Sequence, residues 1–334
     1  MQAPFGKSVS AHEKVQRLKS VVDSGDSLAI LINADPDALA SALALKRLLW
    51  RRARPVRIFR INRIDRADNL AFIKLLDIPQ KHIRDLKRTE FSKWALVDSQ
   101  PSHSKRFAAL EFDLIIDHHA QTDALQAPFI DIREDYGANA TLMTEYLRAA
   151  RIKPSERLAT ALFHGIKTDT NNFVRATVDR DIIAFRYLYD YVNLNIIKKI
   201  ESSEMTRRML PHFQKAMQTL TFIDQTALVH MGRVGKPDIL VQMADFFLKM
   251  AEATWSIASG IYEHRLIVIL RSADFKRSAG TVARALFGKV GSAGGHQGSA
   301  RAEIPLENID CQTDSDACRL YVIRQIKKIP MSDD

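Results

Sequence analysis

Apolar residues gather in short runs set apart by polar or proline-marked stretches, and these runs alternate with segments whose apolar positions recur every three or four residues. SLAILIN (27–33) is apolar without alternation, which predicts a strand covered on both faces. DALASALALKRLLWRRA (37–53) has helical spacing, VRIFR (56–60) after Pro55 reads as a strand, and DNLAFIKLLDI (68–78) is a helix that Pro79 stops. WALVD (94–98), DLIID (113–117) and PFIDI (128–132) are further short buried strands, with helices at about 138–150 and 154–167. Buried strands in alternation with helices predict a largely parallel sheet covered on both faces.

From about 179 to 222 the pattern is helical and charged, as expected of a connector. ALVHMGR (227–233), TWSIASGIYEH (254–264) and RLIVILRSA (265–273) then read as strands of a half-exposed mixed sheet, with helices at roughly 239–250, 279–287 and 314–327. A chain of 334 residues exceeds what one core usually organises. The expected fold class is therefore α/β: a parallel-sheet domain over 1–190, a helical linker over 191–222, and a smaller mixed-sheet domain over 223–334.

Composition narrows the picture. Apolar residues at 46% and charged residues at 26% argue against disorder. No run approaches the roughly 20 apolar residues that span a bilayer, and the opening MQAPFGKSVSAHEKVQRLKS lacks the apolar core of a secretory signal. A cytoplasmic protein without a membrane partner is expected, with Cys311 and Cys318 as reduced thiols. The net charge of +10 favours a polyanionic partner. The densest run, KRLLWRRARPVRIFRINRIDR (46–66), holds nine basic residues and one acid, and reads equally well as a solvated helix end and strand edge.

Chemistry collects at the strand ends of the first domain. SLAILIN runs into Asp35 and Asp37, WALV into Asp98, LII into Asp117, His118 and His119, and the helix LATALFHGIKT into Asp169. Carboxyl ends of parallel strands lie along one edge, where ligands bind. Carboxylates mixed with imidazoles suit a borderline divalent metal such as Mn²⁺, with Mg²⁺ as the harder alternative. Singly each residue has an ordinary explanation: Asp37 can cap a helix, and His164 can pack on its helix face.

In order and spacing, Asp35-Pro36-Asp37-Ala38-Leu39-Ala40-Ser41, Val97-Asp98, Asp117-His118-His119 and Gly165-Ile166-Lys167-Thr168-Asp169-Thr170 resemble the four motifs of the DHH phosphoesterase family. Gly137-Ala138-Asn139-Ala140-Thr141 is similar to its small-residue segment. In the second domain, Leu270-Arg271-Ser272 and Gly294-Gly295-His296-Gln297-Gly298-Ser299-Ala300 resemble the strand arginine and glycine-rich segment of the family's associated C-terminal domain.

The resemblance implies a two-domain phosphoesterase with its active site in a cleft between the domains. Asp37, Asp98, His118 and Asp169 would hold one metal, and Asp98 would bridge to a second that Asp35 helps to bind. His119 would contact the scissile phosphate or donate a proton, and Asp117 would orient the histidine pair. The family usually has a histidine six residues before Asp37, where this chain has Leu31, so the Asp35 site would be weakened. Asn33 and His103 are candidate substitutes. Arg271, Ser272, Gly294, Gly295, His296 and Arg301 would bind the substrate's anionic end, the glycines by close backbone approach. The implied activity is hydrolysis of short oligoribonucleotides or small nucleotide phosphoesters by metal-activated water, of the 3′-5′ oligoribonuclease or 3′-phosphoadenosine 5′-phosphate phosphatase type. One or two divalent ions, Mn²⁺ first, would serve it, in a monomer or homodimer. The alternatives are a catalytically weakened protein that binds a nucleotide or RNA end, and a mononucleotide phosphatase or pyrophosphatase.

Overall fold

The computed structural model describes residues 10–328, apart from 122, 175–176, 204, 275, 310 and 312–314. The chain divides into two units, Met1–Met205 and Thr206–Asp334. The helical stretch expected as a linker is divided between them.

The first unit contains α1 (Ala11–Ser20), β1 (Leu28–Ile32), α2 (Pro36–Leu48), β2 (Val56–Arg60), α3 (Ala67–Leu75), β3 (Lys81–His82), β4 (Lys93–Val97) and α4 (Lys105–Ala108). It continues through β5 (Leu114–Asp117), β6 (Phe129–Ile132), α5 (Asn139–Ala149), α6 (Glu156–Asp169), α7 (Asp179–Tyr189) and α8 (Leu194–Glu201). Its six strands are parallel in the order β3-β2-β1-β4-β5-β6. Leu28, Ile30 and Ile32 of β1 enter the core with α2, α5 and α6, whereas Ala29 and Leu31 enter the opposite core with Phe59, Leu96 and Phe107. Burial on both faces explains why β1 does not alternate. The strand order runs outward from β1 to β3 on one side and from β4 to β6 on the other. The switch between β1 and β4 opens a crevice at their carboxyl ends.

Helix α1, unread in the sequence, is anchored by Lys14. This lysine is 1% exposed and pairs at 2.9 Å with Asp131 of β6. His164 is buried on α6 with its ring centroid 5.2 Å from that of Phe72, the packing role its helix face suggests.

The second unit contains α9 (Leu210–Thr219), β7 (Thr221–Ile223), β8 (Thr226–Arg233), α10 (Asp238–Phe247), β9 (Trp255–Tyr262), β10 (Arg265–Ser272), α11 (Ala279–Phe287), β11 (Ser292–Gly295), β12 (Ser299–Pro305) and α12 (Ser315–Ile326). The sheet order is β11-β12-β10-β9-β8-β7, mixed because β8 and β9 pair parallel. The half-exposed sheet expected here is corrected: Leu240, Met243 and Phe247 of α10 cover one face, and Phe287 of α11 and Val322 of α12 the other.

The glycine-rich segment takes regular structure. Gly294 and Gly295 belong to strand β11, paired with β12. A Cβ on Gly280 would stand 2.3 Å from the Gly295 carbonyl oxygen, so α11 meets this hairpin backbone to backbone. The amides of Ala279 and Gly280 donate to the carbonyls of Gln297 and His296 at 2.8 and 3.0 Å. These two amides are therefore committed to the hairpin.

His230 gives the second unit a pH signature. Its ring is 3% exposed, with Nδ1 2.9 Å from Ser259 Oγ and Nε2 3.2 Å from Ser315 Oγ. Burial, then the charges of Lys215 and Arg319, lower its pKa to about 4, against a smaller opposing effect of Asp316. The folded state thus stays neutral while the unfolded state takes up a proton below about 6.5. Stability is full above that pH and falls as pH drops toward 4, by about 3 kcal/mol from this group. Thermal melts from pH 7 to 4 should show a shallower acid loss in His230→Gln; an identical slope would remove His230 as the cause.

Candidate functional site

Asp35 and Asp37 enter the crevice because β1 ends one turn before α2. Asp35 caps that helix, accepting from the Ala38 amide at 2.9 Å. Asp37, fully buried in the first turn, accepts from the amides of Asn139 and Ala140, each at 2.7 Å, at the start of α5. Gly165 on α6 permits this approach, since a Cβ there would lie 3.1 Å from Asp37 Cα and 3.2 Å from its Oδ1. Burial first, then the charge of Asp169, raises the Asp37 pKa to about 8. Burial and Asp169 likewise raise Asp35 to about 6.

Asp98 follows β4 with φ 57°, a left-handed backbone uncommon outside glycine and asparagine, and its amide donates to Ile116 at 2.8 Å. The side chain is buried, and Oδ1 makes no hydrogen bond. Burial and the charge of Asp37 push its pKa well up.

His118 completes the group. Its Nδ1 lies 3.0 Å from the Tyr136 carbonyl, to which an N–H would donate, leaving Nε2 to face the acids. Nε2 stands 3.1 Å from Asp169 Oδ2, 3.4 Å from Asp98 Oδ1 and 3.9 Å from Asp37 Oδ2, without the alignment of a hydrogen bond. Burial opposes a charge on the ring, but Asp169, Asp98 and Asp37 together raise its pKa to about 12. The site attracts a cation strongly enough to hold a proton when nothing else is bound.

His119 is half-exposed, and its Nδ1 is 2.8 Å from Asp117 Oδ1. That hydrogen bond raises its pKa. Burial alone would raise Asp117, yet the bonds from His119 and Gln100 hold its carboxyl below the usual range. Asp117 is fully buried, taking Gln100 Nε2 at 2.8 Å on Oδ2.

Ligand atoms lie within 4.8 Å of one another in three overlapping groups: Asp37–His118–Asp169, Asp98–His118–His119 and His103–Asp117–His119. Asp35 belongs to none of these groups among the described residues. The unbonded Asp98 Oδ1 and the Nε2 of His118 converge from different strands, and their oxygen and nitrogen donors fit a borderline divalent metal. Leu31 is fully buried in the apolar cluster beneath the crevice and offers no ligand. Asn33 is exposed, while His103 reaches the site, its ring centroid 5.4 Å from that of His119.

Gln100 and Asp181 had no signal in the sequence. Gln100 Nε2 also donates to the His119 carbonyl at 3.1 Å and so fixes the histidine loop. Asp181 of α7, fully buried, accepts from Gly137 N at 3.0 Å and Thr141 Oγ1 at 2.6 Å, which holds the segment that cradles Asp37.

In the second unit the expected anion contacts are mostly engaged. Arg271 Nε donates to Asp245 of α10 at 2.5 Å, and Ser272 Oγ accepts from the Asp274 amide at 3.0 Å. Arg301 pairs with Glu303 at 2.8 Å on an exposed stretch of β12, and His296 is exposed in the β11–β12 turn. Arg271, expected to meet an anionic end, is held in an ion pair with Asp245.

Comparisons with known proteins bear on the family and the fold. The model of the DHH family, N-terminal domain, matches residues 28–166. An uncharacterized protein of Methanocaldococcus jannaschii is 35% identical over 297 residues, covering 89% of this chain and 61% of the relative. The chain thus spans about three fifths of that relative. An exopolyphosphatase-related protein from Bacteroides fragilis has a TM-score of 0.68 at 15% identity, with 96% of this chain and 100% of that one covered. RecJ from Thermus thermophilus, solved in complex with Mn²⁺, has a TM-score of 0.53 at 12% identity, with 96% and 55% covered. At such identities the likeness is one of fold.

Proposed function

Because the chain belongs to the DHH family through residues 28–166, we propose that it is a metal-dependent phosphoesterase acting on short oligoribonucleotides or small nucleotide phosphoesters. The observation that carries this reading is the convergence of Asp37, Asp98 and Asp169 on His118 Nε2 within 3.9 Å. These four residues would hold one divalent cation, with Mn²⁺ the first to try. Bound there, such a cation would lower the pKa of a water toward neutrality and offset phosphate charge.

The protein's own residues do the rest. The amides of Asn139 and Ala140 hold both oxygens of Asp37, so that ligand is oriented before anything binds. Asp117 and Gln100 fix His119, whose half-exposed ring can hold a proton for the leaving oxygen. Exposed His296 and Arg301 are proposed as the second unit's contacts to the substrate's anionic end.

Leu31 favours a second reading, a protein that binds a nucleotide or RNA end with weakened turnover. One tight metal site is expected, since only the Asp35 site lacks its usual histidine. Calorimetric Mn²⁺ titration of metal-free protein should give one tight ion per chain and a second, weaker one. Alongside it, a 5′-labelled RNA dinucleotide should release mononucleotide only when metal is present. Free phosphate from a nucleotide monoester, with the dinucleotide intact, would instead mark a phosphatase. Metal binding without turnover of dinucleotide, 3′-phosphoadenosine 5′-phosphate or pyrophosphate would select the binding protein.

A further inference from the structure

The first part of the basic run, residues 46–57, takes no part in the metal site, and the fold says where it goes. Helix α2 begins at the metal ligands and ends at Leu48, so Trp50 lies about 20 Å away at a rise of about 1.5 Å per residue. The turn after α2 is tied to the opposite edge of the sheet: Arg54 donates its amide to Asp26 at 2.8 Å, and Leu28, at the start of β1, donates to Pro55 at 2.9 Å. Residues 46–57 therefore lie at the amino ends of the strands, the pole remote from catalysis, whereas β2 carries the rest of the run to the carboxyl edge, where Asn62 bonds both backbone groups of Ala34.

Two features mark this pole. Trp50 is 57% exposed beside a shallow cavity of about 340 Å³ lined by Lys46, Trp50, Ala53, Arg54 and Val56. Cations there also outnumber their partners. Arg57 pairs with Glu90 and Arg52 donates to the Lys19 carbonyl, but among the described residues Lys46, Arg47, Arg51 and Arg54 have no acidic partner. Asp26, the nearest acid on the adjoining turn, is occupied with the Asp23 amide and Ser92. Burial and the charges of Arg157 and Arg57 lower the pKa of Lys46.

The same pole continues across the end of α5, where Arg148, Arg151, Ile152, Lys153 and Tyr187 line a second cavity of about 260 Å³. The Arg148 guanidinium lies 5.0 Å over the Tyr187 ring. Cations without acidic partners beside the exposed ring of Trp50 suit a flexible polyanion with flat groups, in which phosphates meet the cations and a base stacks. A lipid surface would call instead for a broad apolar face beside the cations.

We infer that the pole of the first unit remote from the metal ligands binds single-stranded nucleic acid, with a base stacked on Trp50 and phosphates on Lys46, Arg51 and Arg54. This second site would hold a strand independently of catalysis. It also accounts for part of the charge of +10 that the metal site leaves unexplained.

The test uses the full chain carrying Asp98→Asn, so that no strand is cut, and reads tryptophan fluorescence during titration with a ten-residue oligoriboadenylate. Trp255 is buried and Trp94 partly buried, which leaves Trp50 as the accessible reporter. Saturable quenching is expected, absent in Trp50→Phe and weakened at least about tenfold by Arg51→Glu with Arg54→Glu, with a smaller dependence on salt. In the otherwise native chain the charge-reversed pair should still cleave the dinucleotide at the parent rate, which keeps failure of this site distinct from failure of the proposed activity. Quenching that survives in Trp50→Phe or ignores charge reversal overturns the inference. So does quenching by phosphatidylserine vesicles but not by RNA, which would mark the pole as a membrane surface.

Discussion

Asp98→Asn should abolish metal-dependent hydrolysis and, in the same molecule, raise the melting temperature of the metal-free protein. The two effects share one cause. Asp98 is buried with an oxygen that makes no hydrogen bond, beside Asp37, which is also buried and pushed up to about 8. Burial and the charge of Asp37 disfavour ionised Asp98 in the folded state, whereas the unfolded chain ionises above about 3.8. A carboxyl raised in this way destabilises the fold increasingly as pH rises past that value, and asparagine carries no such penalty. Asparagine also tolerates the left-handed backbone at this position, φ 57°. The expected gain is about 1–3 kcal/mol at neutral pH, a rise of roughly 2–4 °C per kcal/mol, fading toward pH 4. Turnover should fall about 10³-fold or more, since metal stabilisation of the transition state is worth several kcal/mol. Melts with and without Mn²⁺ check both halves: the variant should lose the metal-induced shift. A lower metal-free melting temperature, or hydrolysis at the parent rate, would remove Asp98 from the centre of the site.

The same carboxylates show why some of the site was legible in the sequence and some was not. Asp35, Asp37, Asp98 and the Asp117–His119 triplet each follow an apolar run, and a parallel sheet brings such positions to one edge whatever the loops do. Gln100 and Asp181 act through contacts that no local pattern records. Gln100 reaches 17 residues ahead to Asp117, and Asp181 reaches back 40 to Thr141 from a helix that reads as an ordinary charged connector. Strand β11 was hidden for another reason. Ser292-Ala293-Gly294-Gly295 has no β-branched or aromatic residue, and its strand form comes from pairing with β12 against the close-lying start of α11. Arg271 was legible as a cation on a strand, but its partner Asp245 lies 26 residues away on α10.

His119→Asn should lower turnover by about 10²–10⁴-fold and leave the metal-induced rise in melting temperature intact. His119 differs from His118 in exposure and in partner: its side chain is 48% exposed, against 10% for His118, and its bond is to Asp117, on the side of the loop braced by Gln100. His118 is enclosed by three carboxylates and suits a cation, whereas His119 faces outward with its charge supported by one buried acid. That arrangement serves a proton donor better than a metal ligand. The distinction can be measured by changing the leaving group. An ester that releases p-nitrophenolate needs little protonation of its departing oxygen, so the loss in His119→Asn should shrink sharply on it while the loss in Asp98→Asn persists. Equal losses on both esters, together with a diminished metal-induced shift, would move His119 into the metal's coordination sphere with Asp98 and His118, whose ligand atoms it approaches within 4.8 Å.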